Sequence, residues 1–137
     1  MRRVIAGLAI AAAAVGIGAG LALATGKAAS VKITMKEWGV ADVPANVKAG
    51  KVTFAVKNVG KLKHEFLVVK TTKLAAKLPL KGATAAVTSV LGGKIPQFKG
   101  GLTKTLTLTL KPGHYVLLCN LPAHYQAGQR VDFTVTK

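Results

Sequence analysis

The chain has 137 residues, half of them hydrophobic, and 20 lysines and arginines against four acidic residues, for a formal net charge of +16. One cysteine excludes an internal disulfide, and three histidines are too few for the histidine clusters of a multicopper oxidase. Sparse aromatics, few arginines and no basic-aromatic interleaving argue against nucleic acid as a partner.

The N-terminus, MRRVIAGLAIAAAAVGIGAGLALA, reads as an export signal. Arg2 and Arg3 form a positive n-region, Val4 to Ala24 carry no charge, and Ala22-Leu23-Ala24 supplies a small-x-small cleavage pattern. An uncleaved anchor is the alternative, because the uncharged run is long enough to span a bilayer. Its Ala and Gly content is weakly lipophilic, which favours cleavage. The expectation is a signal peptide over residues 1–24 and one domain over 25–137, located in the periplasm or otherwise outside the cytoplasm. Removing Arg2 and Arg3 takes the charge from +16 to +14, and nearly all of it is lysine.

Several segments then alternate with period two. Val31, Ile33 and Met35 share one face of VKITMKEW, and Val52, Phe54 and Val56 share one face of VTFAVKN. Leu106, Leu108 and Leu110 alternate with threonines, and Val131, Phe133 and Val135 alternate with polar residues. Half-buried strands separated by turn signals at Asn58-Val59-Gly60 and Lys111-Pro112-Gly113 predict an all-β antiparallel sandwich or barrel. HEFLVVK and HYVLLC are apolar on both faces, as better-covered central strands would be. Residues 71–100 lack sustained alternation and read as an excursion between two strands, with a short helix over Ala83–Leu91 ended by Gly92-Gly93.

Strand parity places His64 on the face of Phe66 and Val68, and Cys119 on the face of Tyr115 and Leu117. If those faces are the core, both residues point inward at the ends of their strands. Each alone could be a packing group. With His124, five residues after Cys119 across a turn containing Pro122, two imidazoles and a thiolate offer a three-coordinate site suited to copper or zinc. A Cys119–His124 hydrolase pair is the weaker reading, since nothing marks an oxyanion hole or a substrate cleft. Met35 shares its parity with Val31 and Ile33 and reads as core. His114 and Glu65 lie on opposite strand faces from Cys119 and His64 and are not taken as ligands. Asn120 is a candidate for a supporting hydrogen bond, and Tyr125 either covers the His124 edge or closes the loop.

NVGKLKHEFLVV and LKPGHYVLLCNLPAHYQAG together resemble the cupredoxins, the small blue-copper proteins, and the likeness extends from VKITMKEW to VDFTVTK. The Cys-x4-His-x4 spacing is similar to that of rusticyanin- and sulfocyanin-like members. The resemblance implies a Greek-key β-sandwich holding one copper ion, with His64, Cys119 and His124 as equatorial ligands and Tyr115 as the structural aromatic of the Pro-Gly turn. Gln129 departs from the methionine usual at the weak axial position; the family's plant stellacyanins use glutamine there but carry extra cysteines that this chain lacks. An amide oxygen is harder than a thioether and stabilises Cu(II), so a lower reduction potential is expected than with methionine.

The implied function is one-electron transfer between redox partners, without enzymatic turnover. Copper storage or delivery is the alternative, although the chain lacks the flexible Met/His clusters which that role favours. The lysine excess predicts attraction to an acidic redox partner, or peripheral association with an anionic membrane surface, by a monomer.

Overall fold

In the computed structural model, which describes residues 26–137, every segment read as alternating forms a strand. The export-signal reading of residues 1–24 lies outside the described residues. The strands run β1 (Ala29–Lys36), β2 (Gly39–Ala41), β3 (Val47–Lys48), β4 (Gly50–Asn58), β5 (His64–Lys70), β6 (Leu80–Lys81) and β7 (Thr84–Ala85). They continue with β8 (Leu91–Phe98), β9 (Thr103–Leu110), β10 (Gly113–Leu118) and β11 (Arg130–Thr136).

Two sheets carry the architecture. One has the order β2-β1-β4-β9 and the other β3-β11-β10-β5-β8, while β6 and β7 pair separately. The inward residues of both sheets meet in one core, where Phe54 packs its ring against Phe66 and Phe133 at centroid separations of 5.5 and 5.7 Å. Burying each such ring contributes about 1.5–3 kcal/mol. Met35 lies in this core, fully buried, as its parity requires.

The sheets are mixed, which corrects the expectation of an antiparallel sandwich or barrel. β1 runs parallel to β4, and β3 runs parallel to β11. Side-chain alternation is the same in either direction, so it carries no information on strand polarity.

The double-sided apolarity of β5 and β10 has a specific cause. Phe66, Val68, Tyr115 and Leu117 face the inter-sheet core, whereas Leu67, Val69, Val116 and Leu118 form a second cluster with Ala75, Leu78, Ala85, Val87 and Tyr125. Part of the excursion therefore folds over the outer face of the second sheet and seals it. The helix expected over Ala83–Leu91 does not form. Thr84–Ala85 is a strand, Thr88–Val90 makes one 3-10 turn, and Leu91–Phe98 is the edge strand β8 against β5. An edge position tolerates Pro96, and close approach favours glycine: a Cβ at Gly92 would sit 3.2 Å from the Val68 carbonyl oxygen.

Asn58 holds the loop that delivers β5. Its fully buried amide donates to the carbonyls of Leu62 and Phe98 at 2.9 and 3.0 Å and accepts the Gly60 N–H at 2.9 Å. Asn58→Ala leaves these partners without their side-chain group and is expected to cost about 2–3 kcal/mol. Urea unfolding checks this; a loss below about 0.5 kcal/mol would mean that the loop holds itself.

Candidate metal centre

His64 opens β5, and Cys119 directly follows β10, the neighbour of β5 in the sheet. The antiparallel pairing of these strands brings the start of one to the end of the other, and both side chains are fully buried. The Glu65 backbone N–H points at Cys119 Sγ, 3.4 Å away. An N–H aimed at sulfur stabilises a thiolate.

Residues 119–129 close the site as an internally bonded loop. The Cys119 N–H donates to the Gln129 carbonyl at 3.0 Å, tying the two ends together. The His124 N–H donates to Leu121 at 3.0 Å, and the Gln129 N–H donates to His124 at 3.1 Å. Ala123 adopts a left-handed φ of 69°, and its N–H is anchored on the Ala83 carbonyl at 2.8 Å. The turn expected around Pro122 thus folds the chain back, and His124 Nδ1 comes to lie 3.4 Å from Cys119 Sγ.

His64 Nδ1 and His124 Nδ1 face each other at 3.3 Å, and the donor atoms of His64, Cys119 and His124 all lie within 4.8 Å of one another. Gln129 is fully buried beside them. Its amide nitrogen donates to the Lys36 carbonyl at 3.0 Å, which turns Oε1 toward His124 Nδ1, 3.1 Å away. Two imidazole nitrogens, one sulfur and one amide oxygen therefore converge, one from the start of β5 and three from residues 119–129.

The electrostatics fit a cation in their midst. Burial is the main cause holding the His64 imidazole below its ordinary pKa, and His124 adds to it against the opposing pull of Glu37. A neutral imidazole is the form that binds metal. Burial also pushes the Cys119 thiol up, partly offset by the N–H groups of Leu121 and Glu65. A buried thiol that hydrogen bonds alone do not ionise is one that a bound metal would deprotonate.

The remaining candidates fall outside the cluster. His114 bonds the Thr71 carbonyl at 2.7 Å and Asp132 at 2.8 Å. Glu65 pairs with Lys94 at 2.8 Å. The Asn120 side chain pairs with both backbone groups of Ala85, at 2.7 and 3.0 Å, bracing the chain beside Cys119. Tyr115 donates to the Lys111 carbonyl at 2.9 Å, a structural role. Tyr125 closes the loop: its hydroxyl donates to Ala75 at 2.7 Å and accepts the Leu78 N–H at 3.0 Å.

One contributor escaped the sequence reading. The turn between β1 and β2 reaches the cluster through consecutive residues. The Lys36 carbonyl holds Gln129, Glu37 Oε1 lies 3.3 Å from His64 Nε2, and the Trp38 ring meets His124 edge-on at 5.1 Å. Glu37 is one of only four acidic residues in a chain of charge +16, and that rarity was the available signal.

No protein-family model and no curated protein sequence matches the chain. Solved structures do. The dithionite-reduced auracyanin of the photosynthetic bacterium Roseiflexus castenholzii shares 21% identity over 82% of this chain and 100% of its own, with a TM-score of 0.62. Auracyanin A, a blue copper protein of the green thermophilic photosynthetic bacterium Chloroflexus aurantiacus, shares 22% identity over 80% of this chain and 100% of its own, with a TM-score of 0.63. Reduced rusticyanin shares 16% identity over 80% of this chain and 81% of its own, with a TM-score of 0.60. The chain thus has the cupredoxin fold, and its cluster of two histidines and one cysteine fits a type 1 copper site.

Proposed function

We propose that this protein is a one-electron carrier that holds a single copper ion and works between redox partners outside the cytoplasm. The observation that carries the proposal is the convergence of His64 Nδ1, Cys119 Sγ and His124 Nδ1 at one end of the two-sheet sandwich. Copper bound there would supply one reversible electron through the Cu(II)/Cu(I) couple.

The residues of the chain do the rest. His64 and Cys119 are held by neighbouring strands of one sheet, and the bonded loop fixes His124 and Gln129. Donors locked in this way keep one geometry in both oxidation states and reduce the reorganisation that electron transfer costs. His124 is the partly exposed member of the trio and offers the route to a partner. The extracytoplasmic placement is supported by the signal-like sequence of residues 1–24. Among the described residues, no helix is long and apolar enough to cross a membrane.

Adding Cu(II) to the purified protein while recording visible absorption and EPR tests the proposal. An intense thiolate-to-copper charge-transfer band at one copper per chain is the expected result; a colourless protein would overturn it.

The lysine-rich surface further predicts faster encounter with acidic partners. Electron exchange with an anionic iron complex should slow at least about tenfold as the Debye length falls from about 30 to about 8 Å. Stopped-flow rates independent of salt would remove charge steering from the account.

A further inference from the structure

We propose that Glu37 is a positioning residue of this metal centre. Its carboxylate fixes the His64 ring with Nε2–H outward and the Nδ1 lone pair inward, and its charge biases bound copper toward Cu(II). The inference rests on the copper reading above and adds to it a determinant of ligand tautomer and potential.

The geometry begins with an otherwise orphaned atom. His64 is fully buried, and its Nε2 lacks a well-aligned hydrogen-bond partner. Glu37 Oε1 is the anionic oxygen facing it, at 3.3 Å, within ion-pair reach though poorly aligned for a hydrogen bond. A small tightening would convert this approach into the carboxylate–histidine pairing that orients metal-binding imidazoles and raises their basicity. Catalytic and ligand-supporting bonds of this kind are commonly looser before the ligand is bound.

Glu37 is itself held in place. Its Oε1 also accepts the Leu62 N–H at 2.8 Å, from the loop that leads into β5. The Val59 N–H donates to the Met35 carbonyl at 2.9 Å, so the same loop is tied to the end of β1. Gly60 leaves the room: a Cβ there would fall onto the Glu37 carboxylate. The carboxylate, about a third exposed, is thus held beside the His64 ring by the Leu62 N–H.

Its charge also lacks a counterion. Glu65 is paired with Lys94, but among the described residues Glu37 has no lysine or arginine within salt-bridge distance. A negative charge one imidazole ring away from the metal stabilises the more positive oxidation state.

Glu37→Gln separates charge from shape, because its carbonyl oxygen can still accept from Leu62 and from His64. In the copper-loaded full chain, this variant should shift the Cu(I):Cu(II) preference about tenfold toward Cu(I), a rise in midpoint of about 59 mV for one electron. Redox titration followed at the thiolate-to-copper band reads this. Glu37→Ala removes both functions and should also release the ring. In the metal-free protein, nitrogen-15 NMR should find His64 as the Nε2–H tautomer in the wild type and as a tautomer mixture in Glu37→Ala.

A Glu37→Gln midpoint equal to the wild-type value would overturn the electrostatic role, since a merely structural latch would leave the potential unchanged. A wild-type His64 carrying its proton on Nδ1 would overturn the positioning role. Failure of the copper reading looks different: the wild type itself would lack the thiolate band, while the metal-free tautomer measurement would still decide what Glu37 does.

Discussion

Cys119→Ser is expected to abolish the visible band of the Cu(II)-loaded protein and to weaken copper binding by well over a hundredfold. The band requires a thiolate sulfur bonded to Cu(II), and a serine hydroxyl at the same place is a hard donor that stays protonated near neutral pH. Losing a mere outer partner of a metal ligand already costs about 10–100-fold in affinity, so losing the sulfur itself should cost more. Folding is not the confounder it would be for a larger change. The side chain is fully buried, but serine is nearly isosteric, and the backbone bond from the Cys119 N–H to Gln129 is retained. Circular dichroism should be unchanged while absorption and EPR lose the type 1 signature. A serine variant that keeps the band would sink the assignment of Cys119 as a ligand.

Gln129→Met is expected to raise the reduction potential by about 120 mV, a hundredfold change in Cu(I):Cu(II) preference. The amide oxygen now turned toward the cluster is hard and favours Cu(II), whereas a thioether is soft and favours Cu(I). The orientation of that oxygen depends on a bond which methionine cannot make. Gln129 Nε2 donates to the Lys36 carbonyl at 3.0 Å, and this directs Oε1 to the His124 side. Losing that bond within a buried site should also destabilise the protein by about 1–3 kcal/mol. The two effects separate cleanly: redox titration reads the donor, and urea unfolding reads the bond to Lys36. An unchanged potential alongside reduced stability would mean that Gln129 braces the loop without tuning the metal.

The sequence by itself determined the alternating strands and the donor side chains that gather at one end of the sandwich. Alternation in VKITMKEW, VTFAVKN, LTLTL and VDFTV identified half-buried strands because one face of a pleated strand must meet the core. The same parity turned His64 and Cys119 inward, and the short interval from Cys119 to Gln129 kept three donors on one loop, where local spacing governs convergence.

What the tertiary structure alone decided depends on contacts between segments distant in the chain. Parallel pairing of β1 with β4 could not be read, since alternation does not encode direction. LGGKIPQF looked unlike a strand because glycine and proline weaken that pattern. It pairs at an edge, where Pro96 is tolerated and Gly92 lets the chain approach Val68. Glu37 lies 27 positions before His64, a separation for which no local period predicts contact, and only the β1–β2 turn brings its carboxylate to the His64 ring. Local periodicity can place a side chain on a face; which faces and turns then meet is settled by the packing of the two sheets.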